Sequence, residues 1–196
     1  TGLARFVVDP TKDATDDNLT YYSSQAAFTP TKSAYPKLFG GLTNTFSYGG
    51  FTLSTLLTYQ FGGHFLDHFE GFAISDGAVN SSKDLVGNYW TPTNTTASNP
   101  LPILNNPLSS ARLASTRFLH SSDFVRLKEV ALSYRLPSSL TKALHVNTAS
   151  VSVTANNLFY LYAATKNKEL ETPLNGFRTA DIPALRTVSF GVNVGF

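Results

Sequence analysis

Residues 35–63 read "YPKLFGGLTNTFSYGGFTLSTLLTYQFGG". Counted by twos, Leu38, Leu42, Phe46 and Tyr48 fall on one parity, with Thr43, Thr45 and Ser47 on the other. After Gly49-Gly50 the alternation resumes. Phe51, Leu53, Leu57, Tyr59 and Phe61 share one face, and Thr52, Ser54, Thr58 and Gln60 share the other. A period of two means extended chain with one apolar side. Two such runs joined by two glycines predict a hairpin over 38–48 and 51–62 with a tight turn.

The same period recurs three times. Over 124–136, Val130, Leu132, Tyr134 and Leu136 oppose Glu129, Ser133 and Arg135. Arg126 and Lys128 fall on the apolar parity at the start of that run, which predicts cations reaching head groups above a hydrocarbon layer. Pro137 ends the run, and "SSLTKALH" after it has room for one helical turn. Over 148–160, Ala149, Val151, Val153, Ala155 and Phe159 oppose Ser150, Ser152, Thr154 and Asn156. The last run, "TVSFGVNVGF", puts Val188, Phe190, Val192, Val194 and Phe196 opposite Ser189, Gly191, Asn193 and Gly195.

Between the runs the connections alternate in length. The segment 1–36 is read as loop with short strand fragments, 63–122 as a very long loop rich in Asn, Pro, Ser and Thr, and 161–182 as a further long loop. The other connections are tight. In an up-and-down meander this sends every long loop to one end of the sheet, the asymmetry of outer-membrane barrels. A 60-residue irregular connection would argue against a compact soluble domain.

Composition agrees. Of 196 residues only 14% are charged, against roughly a quarter in soluble domains. The formal net charge of +2 and the scattered cations exclude a nucleic-acid surface. With no cysteine, disulfides, iron–sulfur clusters and thiolate zinc sites are excluded. No apolar run reaches the roughly 18–20 residues of a membrane helix. The chain opens on Thr1 with neither initiator Met nor signal peptide, so a mature, trimmed or fragmentary chain is expected. A soluble β-sandwich also alternates; low charge, long strands and one-sided loops favour the membrane sheet. Five strands do not close, and an open edge in lipid costs several kcal/mol for each unpaired backbone group. Further strands are therefore expected.

Five motifs add a resemblance. Residues 35–63, "GNYWTPTNTTASNPLP" with Trp90, Thr91 and Pro92, "STRFLHSSDFVRLKEVALSYRLP", "VSVTANNLFYL" with Asn157, Leu158 and Phe159, and "PALRTVSFGVNVGF" resemble, in this order, the late strands and one intervening loop (the Trp90 stretch) of SusC/RagA-type TonB-dependent transporters of Bacteroidetes. The resemblance implies an all-β fold, the last five strands of a 22-stranded barrel. It implies residues 1–36 as extracellular loop and 37–196 as C-terminal barrel strands with long extracellular loops. It also implies an integral outer-membrane importer of oligosaccharides or peptides. The implied partners are the N-terminal barrel and plug portion, TonB reached through that plug, and a SusD-like lipoprotein lid. Where the family often shows a D-x-N-x-D-G-like loop, this chain has "VVDPTKDATDDNLT".

Several clusters bring together side chains with chemical capacity. His64, Asp67, His68 and Glu70 have ligand types suited to Zn²⁺, but solvated residues at a strand end are the preferred reading. Asp9, Asp13, Asp16 and Asp17 could offer oxygens to Ca²⁺ in an extracellular loop, yet lack the Gly and terminal Glu of an EF-hand. No resident cofactor is expected. His120, Ser121, Ser122 and Asp123 are adjacent, but adjacency is not triad geometry. No nucleotide or hydrolase motif is present, so no enzyme is expected. Tyr89 and Trp90 are candidates for solute contact or for anchoring the long loop. Glu129 and Arg135 are candidates for an ion-pair network on the polar face. Phe190, Val192, Val194 and Phe196 form the candidate strand read by the barrel-assembly machinery. The alternative to import is a structural barrel subunit without transport.

Overall fold

The computed structural model describes residues 2–9, 11, 18–28, 32–74, 80–104, 111–166, 168–171, 175–179 and 182–196. They group into two compact units, one comprising 1–33, 65–120 and 173–180, the other 34–64, 121–172 and 181–196.

The second unit holds the sheet. Its five strands are β1 (Leu38–Tyr48), β2 (Phe51–Phe61), β3 (Phe124–Arg135), β4 (Thr148–Ala163) and β5 (Thr187–Gly195). They lie in the order β5-β4-β3-β2-β1, and every neighbouring pair is antiparallel. Sequential strands are neighbours throughout, as the meander reading requires. β1 and β2 are 11 residues each, about 36 Å of strand. At a tilt near 40° that is a rise of about 28 Å, enough for a barrel's lipid band.

The hairpin turn is the predicted one. Gly49 and Gly50 have φ of 56° and 87°, and Tyr48 pairs with Phe51 across them. Positive φ at both central positions is what a type I′ turn demands. A Cβ at Gly50 would also sit 3.0 Å from the Arg135 carbonyl oxygen, and the Gly50 carbonyl accepts the Arg135 amide. Gly50→Val should therefore cost about 1–2 kcal/mol from left-handed backbone alone, with added loss of the β2–β3 contact. A denaturation midpoint equal to wild type would contradict this. The other short connection holds α2 (Ser138–Ala143) between β3 and β4.

Register sorts the side chains onto two faces. One face carries the rows Tyr48–Phe51–Tyr134–Val151–Val192 and Phe46–Leu53–Leu132–Val153–Phe190. The opposite face carries Ser47–Thr52–Ser133–Ser152–Gly191 and Thr45–Ser54–Ala131–Thr154–Ser189. The apolar face lies open: Phe46 is 64% exposed, Val192 75% and Phe190 84%. Each such side chain left in water forgoes about 1.5–3 kcal/mol. Aromatic rings stand at both ends of this face. Phe51 and Tyr134 lie 4.3 Å apart at one end. Tyr59, Phe61 and Tyr162 cluster at the other, with centroids 6.2 and 6.3 Å apart. Gly40 makes room there, since a Cβ would fall 2.7 Å from the Tyr59 hydroxyl.

One expectation is corrected. β3 does not keep a single parity. Glu129 pairs with Leu56 and Leu127 with Leu57, so Lys128 is an extra, bulged residue. A bulge shifts the face of everything beyond it. Arg126 thereby joins the polar face, opposite Thr58 and Tyr160, and is only 3% exposed. It does not reach outward to head groups. β4 answers with irregularities of its own, where Asn157 adopts a φ of 55°.

The first unit holds a small apolar core. The connection read as irregular contains a strand at His64–Asp67, helix α1 (His68–Ala73), and a strand at Leu119–Ser121. These pair in a three-stranded sheet with Phe177–Arg178, His64–Asp67 lying in the middle. Ile74, Leu85 and Phe118 are buried together, packed by Leu66, Ala73 and Tyr89. Phe6–Val7 and Leu19–Thr20 form the short strand fragments expected near the start.

Candidate functional site

The polar face and the loop roots at its open end carry the concentrated chemistry. Two glycines and a Ser-Ser-Asp triplet lock the end of β2 to the entry of β3. The Ser122 hydroxyl accepts from Gln60 Nε2 at 2.8 Å, and the Ser122 amide donates to the Gly63 carbonyl at 3.0 Å. Asp123 accepts the Gly62 amide at 2.6 Å, while its carbonyl takes the Ala164 amide at 3.0 Å. A Cβ on Gly63 would stand 2.5 Å from Ser122 Oγ. Three connections are thus tied at one point by backbone groups that would otherwise be unpaired.

Beside this knot lies an ion cluster. Arg126 Nη1 donates to Glu169 Oε1 at 3.0 Å and to the Tyr160 hydroxyl at 3.1 Å, and the guanidinium lies 4.7 Å from the Tyr160 ring centre. The Tyr160 hydroxyl donates to Glu169. Lys128 Nζ, aimed by the bulge, meets Glu171 Oε2 at 2.5 Å. Glu169 also accepts the amides of Leu170, Glu171 and Ala184. Asn157 Nδ2 holds the Leu185 carbonyl at 3.0 Å. Leu170 between the two glutamates is fully buried. The segment after β4 is therefore bound across the polar face at 168–171 and 182–185 rather than standing free of it. The ion pairs on this face fall at Arg126 and Lys128; Glu129 and Arg135 instead register with Asn156 and Ser150.

Burial alone would raise the Glu169 carboxyl. The Tyr160 hydroxyl, the Glu171 amide, the Arg126 charge and the Ala184 amide outweigh it and hold the group below its ordinary 4.5. A depressed folded value stabilises above 4.5, and that stabilisation is lost as pH falls through the folded value. Hydrogen exchange at Leu170 and Ala184, corrected for intrinsic rate, should keep its protection at neutral pH and lose it in that acid range. Protection independent of pH there would contradict the assignment.

In the first unit, the fully buried Phe65 lies between the Arg178 guanidinium and the His120 ring, each 5.7 Å from its centre. His120 Nε2 and Glu70 Oε2 are 2.5 Å apart. Asp67 caps α1 by accepting the Glu70 amide at 3.0 Å. Of the four candidate metal ligands His64, Asp67, His68 and Glu70, Asp67 and Glu70 are thus engaged in a helix cap and an imidazole pair. Among the described residues no three His, Asp or Glu side chains converge on a point. Asp13, Asp16 and Asp17 lie outside the described residues; the Asp9 side chain caps Thr11.

The adjacent His120, Ser121, Ser122 and Asp123 do not assemble a nucleophile. His120 serves Glu70, Ser122 serves Gln60, and Asp123 serves Gly62. Tyr89 packs on the Ile74–Leu85–Phe118 core. The Trp90 ring lies on Gly2, where a Cβ would come within 2.3 Å. Both rings are half-buried. Sequence reading passed over Asn99, which is buried and joins three pieces of the long loop. It accepts from Arg117 at 2.7 Å, donates to the Asn88 carbonyl at 2.8 Å, and its own carbonyl takes the Trp90 amide at 2.9 Å. A lone Asn in an Asn-rich stretch offers no pattern by which to find it.

No family model matches the chain. It is 26% identical over 167 residues to TonB-dependent receptor P3 of Formosa agariphila, and 28% identical over 173 residues to TonB-dependent receptor P39 of the same organism. Each alignment takes in 80% of this chain and 16% of the relative. The chain thus spans about a sixth of the curated relatives it matches. The structure of the RagAB peptide transporter matches 100% of this chain over 21% of its own, with a TM-score of 0.73 and 24% identity. The RagAB peptide importer in its open-open state matches 99% over 22%, with a TM-score of 0.74 and 24% identity. In sequence and in fold, the chain is similar to a stretch of the SusC/RagA-type TonB-dependent transporters.

Proposed function

We propose that this chain is a stretch of the wall and mouth of an outer-membrane TonB-dependent importer. The observation that carries the reading is the open apolar face between two sets of aromatic rings, backed by a face of Ser, Thr, Asn and Gly. Lipid on the first side and a solvated lumen on the second satisfy both. The two edges, β1 and β5, pair with the remaining barrel strands, since an open edge in hydrocarbon is too costly. In this reading the strands are the last five of the barrel, the knotted end faces outward, and the long loops are extracellular.

The whole transporter imports an oligosaccharide or a peptide. The RagAB structures are named for a peptide transporter, which favours a peptide, and the small residues of the polar face leave room for a plug and a solute. A plug in the remaining portion answers to TonB, and a SusD-like surface lipoprotein lids the mouth. Tyr89 and Trp90 offer their exposed edges to solute from a loop that their buried edges hold in place. Phe190, Val192, Val194 and Phe196 carry the alternation that the barrel-assembly machinery reads.

Purification of the complete protein from detergent-solubilised outer membranes tests this. A plug-bearing polypeptide, a co-purifying lipoprotein and solute uptake that stops without TonB are expected. A plugless complex with no TonB-dependent uptake would instead identify a structural barrel subunit.

A further inference from the structure

The connector between β3 and β4 has a feature that the wall reading does not use. α2 bears Leu140, 50% exposed, and is closed by Leu144 at its C-cap, 60% exposed, in a segment otherwise made of Ser138, Ser139, Thr141, Lys142 and Ala143. Residues four apart lie on one side of a helix, so the two leucines form a small apolar pair facing away from the chain. β3 and β4 each have both sheet neighbours, so α2 stands clear of the two open edges.

Its place relative to the faces follows from Ala149. This residue has the parity of the apolar face, yet it is 7% exposed, while Val151, two residues along the same face, is 44% exposed. α2 packs on β4, and Thr141 within it is buried. A connector lying over the apolar side of the sheet, just beyond the Phe51–Tyr134 rings, accounts for the burial of both Ala149 and Thr141. Those rings mark the end of the apolar face at the tight-turn side, and α2 is the next element outward.

We propose that α2 is an interfacial anchor. Leu140 and Leu144 enter the hydrocarbon edge of the lipid leaflet on the tight-turn side, and Lys142 reaches its phosphates. The occupant is a phospholipid interface because the patch continues the apolar face and pairs two leucines with one cation. A helix with an apolar pair and a long cation rests at that depth, the cation snorkelling to water. The connector then fixes how far the β3–β4 hairpin descends. The inference rests on the lipid-facing reading of the sheet, and its test separates the two.

This chain has no cysteine, so an introduced one is unique within it, and any cysteine in the remaining portion would be replaced by serine. Spin labels at Leu144→Cys, Val192→Cys and Lys83→Cys would be introduced into the complete transporter in phospholipid vesicles. Collision with oxygen and with a water-soluble nickel chelate would then be compared. An oxygen-to-nickel ratio at 144 several-fold above that at 83, and below that at 192, is expected, with Leu140→Cys behaving like 144. A ratio at 144 equal to that at 83, with 192 remaining lipid-like, overturns the anchor and leaves the wall reading intact. Shielding of 144 from both reagents means a protein covers it and also overturns the anchor. A water-like ratio at 192 would remove the wall reading and the anchor together.

Discussion

Val130→Arg should abolish most of the assembled protein, while Ala131→Arg, one residue on, should be tolerated. Val130 stands on the apolar face between Thr55 and Ala155, midway between the two sets of aromatic rings. Ala131 stands on the polar face between Ser54 and Thr154. A guanidinium at the centre of a lipid-facing strand costs about 2–4 kcal/mol, a factor of roughly 30 to 900 in the folded population. The same group on a lumen wall remains hydrated. Urea titration of the transporter in vesicles would read the difference directly. Equal effects at the two positions would mean that the faces are not lipid and water.

The second large effect is expected at Arg126. Its side chain is 4% exposed and that of Glu169 is 11% exposed. Removing one member of so buried a pair strands the other, typically at about 3–5 kcal/mol. Arg126→Ala should release the segment after β4, visible as lost amide protection at Leu170, Glu171 and Ala184. Arg126→Lys should recover little, because one ammonium cannot bridge Glu169 and Tyr160 while lying on the Tyr160 ring. The double change Arg126→Met with Glu169→Gln should cost less than the single Arg126→Ala, since no buried charge is left. A double variant that is worse than the single would contradict the clamp.

Much of this was open to reading by twos. The Gly49-Gly50 turn, the five strands and the sorting of β1, β2 and β5 into faces follow from side-chain parity, since a one-residue slip would turn every apolar residue over. Arg126 was misplaced for the same reason. Parity carries through a strand only while the ladder is regular, and Lys128 is the residue where it is not. Two cations on an apolar parity were themselves the signal of a bulge. What lay beyond reading was the knot and the apolar core of the first unit. Gln60 meets Ser122 across 62 residues, and Arg126 meets Glu169 across 43. Neither pair has a local period. Phe65 and Phe118 are almost wholly buried in a stretch whose elements are three to six residues long, too short for periodicity to register. The candidate site divides likewise. Tyr89 and Trp90 were found as aromatics in a loop, but the Asn99 bonds that position Trp90 were not.

The orientation of β4 in the membrane is the most direct point to measure. Single cysteines at Val151, Ser152, Val153, Thr154 and Ala155 in the complete transporter, exposed to a thiol reagent dissolved in the lipid phase, should label at 151, 153 and 155 and stay unmodified at 152 and 154. Labelling that ignores parity, or that favours 152 and 154, would contradict a sheet with lipid on its apolar face.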